Sequence, residues 1–475
     1  MQRRLHHGHA SAIALAAILA APAVQAEEAL PDAPATSAAA ASASTHVIRP
    51  DCAGGACDYR LTPAQLLALA DKLVREKKFD EARPFVAALG AAPGMAVPHD
   101  FLSGLIAMET GDPATATNHF RSILESHPGQ TRVRLELAKA LMMQGKFQSA
   151  DYHLKLAEND EELPEDIARM IGNARSVIRS NRKFRFGFDF GFAPDSNINS
   201  ATAVETVDVN FGPYRLPIEL GEDARRQSGV GATASAYAGV RLPASEDMAI
   251  VVDLDADMVK YEQSDFDDYS VQVAAGPELK LGAKTRATLQ GVGLYRWYGG
   301  EIAARQFGSK LTVQHTLSRS QRVAVQFDGR RSESEINAGY TGWQLGANAS
   351  YEQVIGKSAL LSASVLARRD ILDADFYSSK TAGVSAGLGA ELPYGINAGL
   401  SGSVTHSVYD APQLLFSDEA RKDWRYQARA YAGLRSLRIA GFSPSVEYNF
   451  LKVDSNYDLY ATDRHRMHFK LARYF

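Results

Sequence analysis

The chain has 475 residues, enough for more than one domain, and its 51 Lys and Arg stand against 55 Asp and Glu for a formal net charge of -4. That balance excludes the basic footprint of a nucleic-acid-binding surface. Cys52 and Cys57 are its 2 cysteines, too few for a zinc site built on cysteine, and no metal or cofactor is expected.

The chain begins MQRRLHHGHASAIALAAILAAPAVQAEE, with Arg3 and Arg4, an alanine-rich apolar run from Ala12 to Ala21, and the small-residue pattern Val24-Gln25-Ala26. These are the three parts of a secretory signal peptide, read as residues 1–26. No cysteine directly follows the expected cut after Ala26 to take a lipid anchor, and His6, His7 and His9 would leave with the signal. Residues 27–59 are rich in Ala, Ser and Pro and poor in large side chains, a composition that reads as a flexible leader. Within it Cys52 and Cys57 are expected to close a small disulfide loop, because an exported chain sits where disulfides persist.

From Arg60 a pattern returns every 34 residues, the period of tetratricopeptide repeats. Small residues align as Ala70, Gly104, Ala138 and as Ala82, Ala116, Ala150. Large apolar residues align as Leu67, Phe101, Leu135 and as Val86, Phe120, Leu154, while Lys77, Gly111 and Gly145 fall at the turns. Short side chains are what let two antiparallel helices approach closely, and about three repeats are needed for a stable stack. Residues 60–182 are therefore read as a tetratricopeptide-repeat domain. In such domains the first helix of each repeat lines a concave groove. The corresponding positions are Leu105, Met108 and Glu109 in the second repeat and Arg132, Lys139, Met142 and Met143 in the third, which would touch a peptide or protein partner.

From residue 183 the period changes to two. KFRFGFDFGF sets Phe184, Phe186, Phe188, Phe190 and Phe192 on one side of a strand and Arg185, Gly187, Asp189 and Gly191 on the other. Residues 248–258 alternate in the same way, with Met248, Ile250, Val252, Leu254 and Met258 opposite Asp253, Asp255 and Asp257. Gly- and Ser-rich faces, as in INAGLSGSVTHSV at 396–408, make poor exteriors for a soluble sandwich but suit a wet lumen whose other side meets lipid. No stretch after the signal reaches the ~18 consecutive apolar residues of a spanning helix, so a membrane crossing has to be a barrel. About fourteen candidate strands can be traced to the C-terminus, joined alternately by long and tight links. The long links follow the odd strands, from Ala193 to Gln227 and then around Gln263, Gly300, Ser334, Asp373, Pro412 and Asn456; the even links are mostly tight, at Pro243–Asp247, Gly282–Ala283, Ser318–Ser320, Gly356–Lys357 and Pro393–Tyr394. Short turns belong on the periplasmic side, which puts the repeats in the periplasm. The fold class is thus α + β multidomain: a periplasmic helical repeat domain, then a C-terminal transmembrane antiparallel β-barrel over 183–475. In the lumen, Asp253, Asp255 and Asp257 are read as lining charges. His315, His406 and Ser401 carry no triad spacing, and no enzyme is expected.

The ending RHRMHFKLARYF, with Met467, Phe469 and Leu471 alternating toward Phe475, resembles the signal by which outer-membrane barrels are recognised for assembly, although Arg473 stands where an aromatic is usual. The order of parts and the stretch APDSNINSAT (Ala193 to Thr202) resemble the surface lipoprotein assembly modulator family, the type XI secretion translocons, over nearly the whole mature chain. That resemblance implies delivery of client proteins, surface lipoproteins or secreted haem- and metal-acquisition proteins, from the periplasm to the cell surface or medium. The repeats would capture the client or a periplasmic chaperone, the barrel-assembly machinery would insert the chain among outer-membrane lipid, and client folding or binding would drive passage. A polysaccharide or small-solute exporter or porin is the alternative reading.

Overall fold

The computed structural model describes residues 51–53, 56–58, 61–160, 162–181, 184–211, 214–434, 436–437, 439 and 442–472. The signal sequence, most of the leader and the terminal Arg473, Tyr474 and Phe475 lie outside these residues. Strands β1 (Asp51–Ala53) and β2 (Ala56–Asp58) form a small antiparallel hairpin whose register sets Cys52 opposite Cys57; their side chains, and with them the expected disulfide, lie outside what is described.

Six helices follow in pairs: α1 (Pro63–Arg75), α2 (Phe79–Ala91), α3 (Ala96–Glu109), α4 (Pro113–Ser126), α5 (Thr131–Met143) and α6 (Phe147–Ala157), then a longer α7 (Glu165–Asn181). Thr62 opens α1 with a capping box that Gln65 completes. The turn column is a column of left-handed residues: φ is 58° at Lys77, 83° at Gly111 and 71° at Gly145, the conformation that ends a helix with least strain at glycine. The small columns are the helix contacts. Ala70, Ala82, Ala116, Ala138 and Ala150 are wholly buried, and a Cβ added to Gly104 would stand 2.6 Å from the Phe120 ring. The chain divides into compact units inside α4: one ends at Phe120, and Arg121–Phe475 belongs to the other, so α5, α6 and α7 group with the strands that follow. In the first unit Ala70, Leu73, Val74, Ala82, Val86, Leu89, Leu102 and Ile106 make a continuous apolar core.

The strands β3 (Phe184–Asp195), β6 (Gly229–Pro243), β7 (Met248–Lys260), β8 (Asp268–Lys280), β9 (Thr285–Tyr298), β10 (Glu301–Thr316) and β11 (Gln321–Ser334) pair antiparallel with their chain neighbours. The pairing continues through β12 (Gly342–Ile355), β13 (Ala359–Leu372), β14 (Ser379–Leu392), β15 (Ile396–Tyr409), β16 (Lys422–Leu434), β17 (Ser443–Ser455) and β18 (Thr462–Ala472). β18 pairs back onto β3, which closes a 14-stranded barrel and leaves no open edge. The alternation read from the sequence becomes inside and outside: Phe184, Phe186, Phe188, Phe190 and Phe192 all project exposed from the wall, as do Leu254 and Met258 on β7. Apolar side chains facing outward all round a barrel need hydrocarbon beside them.

The links alternate as expected, with two differences. The link around Gly300 is a tight Gly299-Gly300 turn, both residues at positive φ, because β9 and β10 extend into what was read as a loop. At the other end, the link between β16 and β17 runs from 435 to 442 and is longer than its tight neighbours. The longest link, between β3 and β6, holds a separate hairpin of β4 (Thr206–Phe211) and β5 (Tyr214–Glu219). Among the described residues no helix is long and apolar enough to cross a membrane.

Candidate functional site

The inner wall carries charged side chains that pair along a strand, with the next strand or with the strand beyond it. Asp253 is bound by the Arg185 guanidinium from β3 and accepts a hydrogen bond from Gln290 Nε2 at 2.9 Å. Arg241 donates to Glu278 at 2.9 and 3.0 Å, Arg429 to Glu447 at 2.7 Å, Lys470 to Glu447 at 3.2 Å, and Arg368 to Asp370 at 2.9 Å. Of the three aspartates singled out in the sequence, Asp253 is therefore built into this wall, while Asp255 is exposed and Asp257 half-buried on the same face. Paired charges on a wet wall keep it hydrated without presenting a strong field of one sign.

At the long-loop end, the APDSN stretch is a knot. Asp195 is buried and held by Arg464 Nε at 2.8 and 3.0 Å and by its Nη2, by the Tyr261 hydroxyl at 2.9 Å, and by the backbone N–H of Asn197 at 3.1 Å; Arg466 Nε lies 3.4 Å away. Asn197 donates to the carbonyls of Ala201 and Asp463 at 2.9 Å each, and its own Oδ1 accepts from Ala201 N–H at 3.0 Å. The sequence stretch that carried the family resemblance thus ties the first strand to the last. Arg464, Arg466 and Tyr261 were not singled out in the sequence. The available signal was the pair of arginines two apart on the final strand, which share one face.

The loops at the same end interlock. Arg421, buried, lies between the Tyr409 and Tyr460 rings at 3.7 and 3.8 Å, and Tyr340 stacks on Tyr377 at 3.9 Å. The β4–β5 hairpin places Val207, Val209, Phe211, Tyr214, Leu216 and Ile218 on one face, with Val207 and Val209 covered and the other four exposed. Its polar face carries the Asp208–Arg215 pair at 3.1 Å, and Asn210 N–H anchors it to the Leu415 carbonyl at 2.7 Å.

At the short-turn end, helices sit on the barrel. Arg134 of α5 meets Glu391 of β14 at 2.7 Å with both side chains buried, while its Nε donates to the Pro128 carbonyl at 3.1 Å. Lys155 of α6 lies 3.5 Å from Glu352, Lys357 of the β12–β13 turn pairs with Asp160 at 2.9 Å, and Asn159 donates to the Gly356 carbonyl. Arg175 of α7 is held by Asp151 at 2.8 Å and by Glu158. Burial pushes the Asp160 carboxyl up, but hydrogen bonds from Thr131 and Lys357 outweigh it and hold the group below the usual aspartate range. Burial pulls the Lys155 ammonium below the usual lysine range against the opposing pull of Glu352.

The groove positions divide. In α5, Arg132, Lys139 and Met143 are exposed and Met142 is half-buried. In α3, Glu109 is exposed but paired with Lys77 at 3.1 Å, and Leu105 packs against the helical core. Met108 is a correction: it is buried at 5 % exposure and lines no open face. The reason is that α3 is covered around most of its circumference, with Phe101, Leu102, Gly104, Ile106 and Ala107 buried as well.

The family model for surface lipoprotein assembly modifiers matches residues 184–475, the whole barrel, and a tetratricopeptide-repeat model matches residues 107–169. The chain belongs to the surface lipoprotein assembly modifier family. Among curated relatives, the surface lipoprotein assembly modifier of Moraxella catarrhalis is 21% identical over 73% of this chain and 67% of its own length. The hemophilin secretion modulator of Acinetobacter baumannii is 19% identical over 79% of this chain and 78% of its own. Among solved structures, the outer-membrane channel DcaP of Acinetobacter baumannii aligns with 61% of this chain and 97% of its own at a TM-score of 0.36 and 12% identity. In a single-chain outer-membrane barrel short turns face the periplasm and long loops the cell exterior, so the helices on the short turns of this chain are periplasmic.

Proposed function

We propose that the chain is an outer-membrane translocon that moves client proteins from the periplasm to the cell surface or the medium. The observation that carries this reading is the joining of a family barrel to periplasmic helices seated on its short-turn end. The names of the relatives supply two client classes, surface lipoproteins and a secreted hemophilin, and this chain would serve one of them. The exposed face of α5, with Arg132, Lys139 and Met143, would receive the client or a chaperone carrying it, and the barrel-assembly machinery would insert the chain. Its role is conduction and not catalysis. Passage would draw on client folding or binding outside the cell.

The test is to express the chain in a host lacking it together with the lipoprotein or secreted protein encoded beside its gene. Protease-accessible client on intact cells, or client in the medium, should depend on the chain. Client that stays inside the cell, together with a large steady ion conductance of the purified barrel in planar bilayers, would favour the solute-channel alternative.

A further inference from the structure

Side chains from four loops meet at the exterior mouth of the barrel. The loops are the links 335–341 after β11, 373–378 after β13, 410–421 after β15 and 456–461 after β17. Four strands of the ring lie between the first and the last of them on one side and six on the other, so they face each other nearly across the mouth. Tyr340 of the first loop stacks on Tyr377 of the second, and both lie within electrostatic reach of Tyr460 in the fourth. Arg421, at the end of the third, sets its guanidinium 3.8 Å from the Tyr460 ring and 3.7 Å from the Tyr409 ring. Tyr460 donates to Gln413 Oε1 at 3.1 Å, the Gln413 N–H donates to the Tyr457 hydroxyl at 3.0 Å, and that hydroxyl donates to the Glu419 carbonyl at 2.6 Å.

Burial places this group over the lumen. Asp423 belongs to the inner face, in register with Ser407 and through it with Thr381, while its neighbour Trp424 is exposed outside. An inner-face carboxylate at the rim of an open mouth would be wet, yet Asp423 is 3 % exposed and Arg421 2 %. The loops that cover them share backbone bonds at their roots, such as Asp373 N–H to the Thr341 carbonyl at 2.8 Å and Asp410 N–H to the Ser378 carbonyl at 3.0 Å; over the mouth they meet through side chains. Arg421 Nε lies 3.3 Å from Asp423 Oδ2, but Asp423 Oδ1 and Gln413 Nε2 are buried without a hydrogen-bond partner among the described residues. Unpaired polar atoms raise the free energy of the closed arrangement, so opening it costs less than parting an apolar plug of the same size.

We propose that this tyrosine–arginine group is a latch that holds the exterior mouth shut until an extended polypeptide displaces it from the lumen side. The shut mouth stands apart from the translocon reading, and displacement by a client rests on it. Arg421 is the pin, because one planar cation serves the Tyr409 ring of its own hairpin and the Tyr460 ring of the next. A polypeptide fits the role because its amides offer a donor to Asp423 and an acceptor to Gln413, the two groups left unpaired when the mouth is shut.

The purified full chain in planar bilayers should pass little current. Arg421→Ala should raise the open probability by about 10-fold, the population shift expected from losing one desolvated cation–π pair, and Arg421→Lys should fall between the two. Arg305→Ala, which breaks the exposed Arg305–Glu335 pair outside the group, should change nothing. Tyr460→Leu removes one face of the sandwich and should act like Arg421→Ala, which keeps the test open if that variant does not assemble. A freely conducting parent, or Arg421 and Tyr460 variants as silent as the parent with unheated gel mobility intact, overturns the latch. Displacement is read at Ser403→Cys, on the inner face of β15 and deeper than Asp423, in a chain carrying Cys52→Ser and Cys57→Ser. A bulky polymer-linked maleimide added to intact cells should label it when Arg421→Ala is present or while the parent displays client, and not otherwise. Client displayed without labelling overturns displacement. If the parent displays no client, the translocon reading fails, and the conductance still decides whether the mouth is latched.

Discussion

Gly104 shows how a single column in the sequence becomes a packing constraint. The repeat places it where the Phe120 ring lies against its Cα, with 2.6 Å to an added Cβ. Gly104→Ala should therefore destabilise the repeat unit by about 1–3 kcal/mol, the usual range for overpacking a filled contact. Thermal melting followed at the helical circular-dichroism band would read it as an earlier helical transition with the strand signal unmoved. On the barrel, Leu254 and Asp253 are adjacent and face opposite media. Leu254→Arg, near the middle of β7, should cost roughly 2–4 kcal/mol in urea refolding into vesicles, while Asp253→Ala should leave the barrel assembled. Both columns and facing were legible because they are periodicities of the local chain. The partners of Asp195 were not: Arg464 is 269 residues away, and no local period connects a clamp to its anchor.

At the scale of elements, the sequence displayed a helical pattern repeated three times from Arg60. It did not display that α5 and α6 belong structurally with the barrel, because that docking depends on Arg134, Lys155 and Asp160 meeting turns more than 190 residues on. Arg134→Ala would leave Glu391 buried without its cation, a loss of about 3–5 kcal/mol at that contact. Protease cleavage between α4 and α6 should rise, while the unheated barrel keeps its mobility in detergent gels. The docking should also be acid-sensitive. The Asp160 carboxyl titrates below its ordinary range in the folded chain, so its contribution is complete above the unfolded value, near ~3.9, and is lost as pH falls through the lower folded value. Asp160→Asn should abolish this dependence in the same proteolysis assay. The Gly299-Gly300 turn has the opposite lesson: two glycines read as a loop signal, yet the register of β9 and β10 carries the ladder to Tyr298↔Glu301.

For the whole molecule, the sequence foretold a repeat domain and a barrel of about fourteen strands, and the closed ring of β3 and β6–β18 agrees. Closure was legible because a chain whose every strand has one apolar and one polar face has few ways to satisfy both. How the ring is sealed at β3–β18 was not, since a one-dimensional pattern carries no register. Everything proposed about delivery requires that this ring separates hydrocarbon from water. Single cysteines at residues 252 to 257, introduced one at a time into β7 and probed in intact outer membranes with a water-soluble maleimide, test that most directly. Labelling is expected at 253, 255 and 257 and protection at 252, 254 and 256, with the protected set reacting only with a lipid-dissolved reagent. Labelling that ignores this alternation, or follows its reverse, would contradict it.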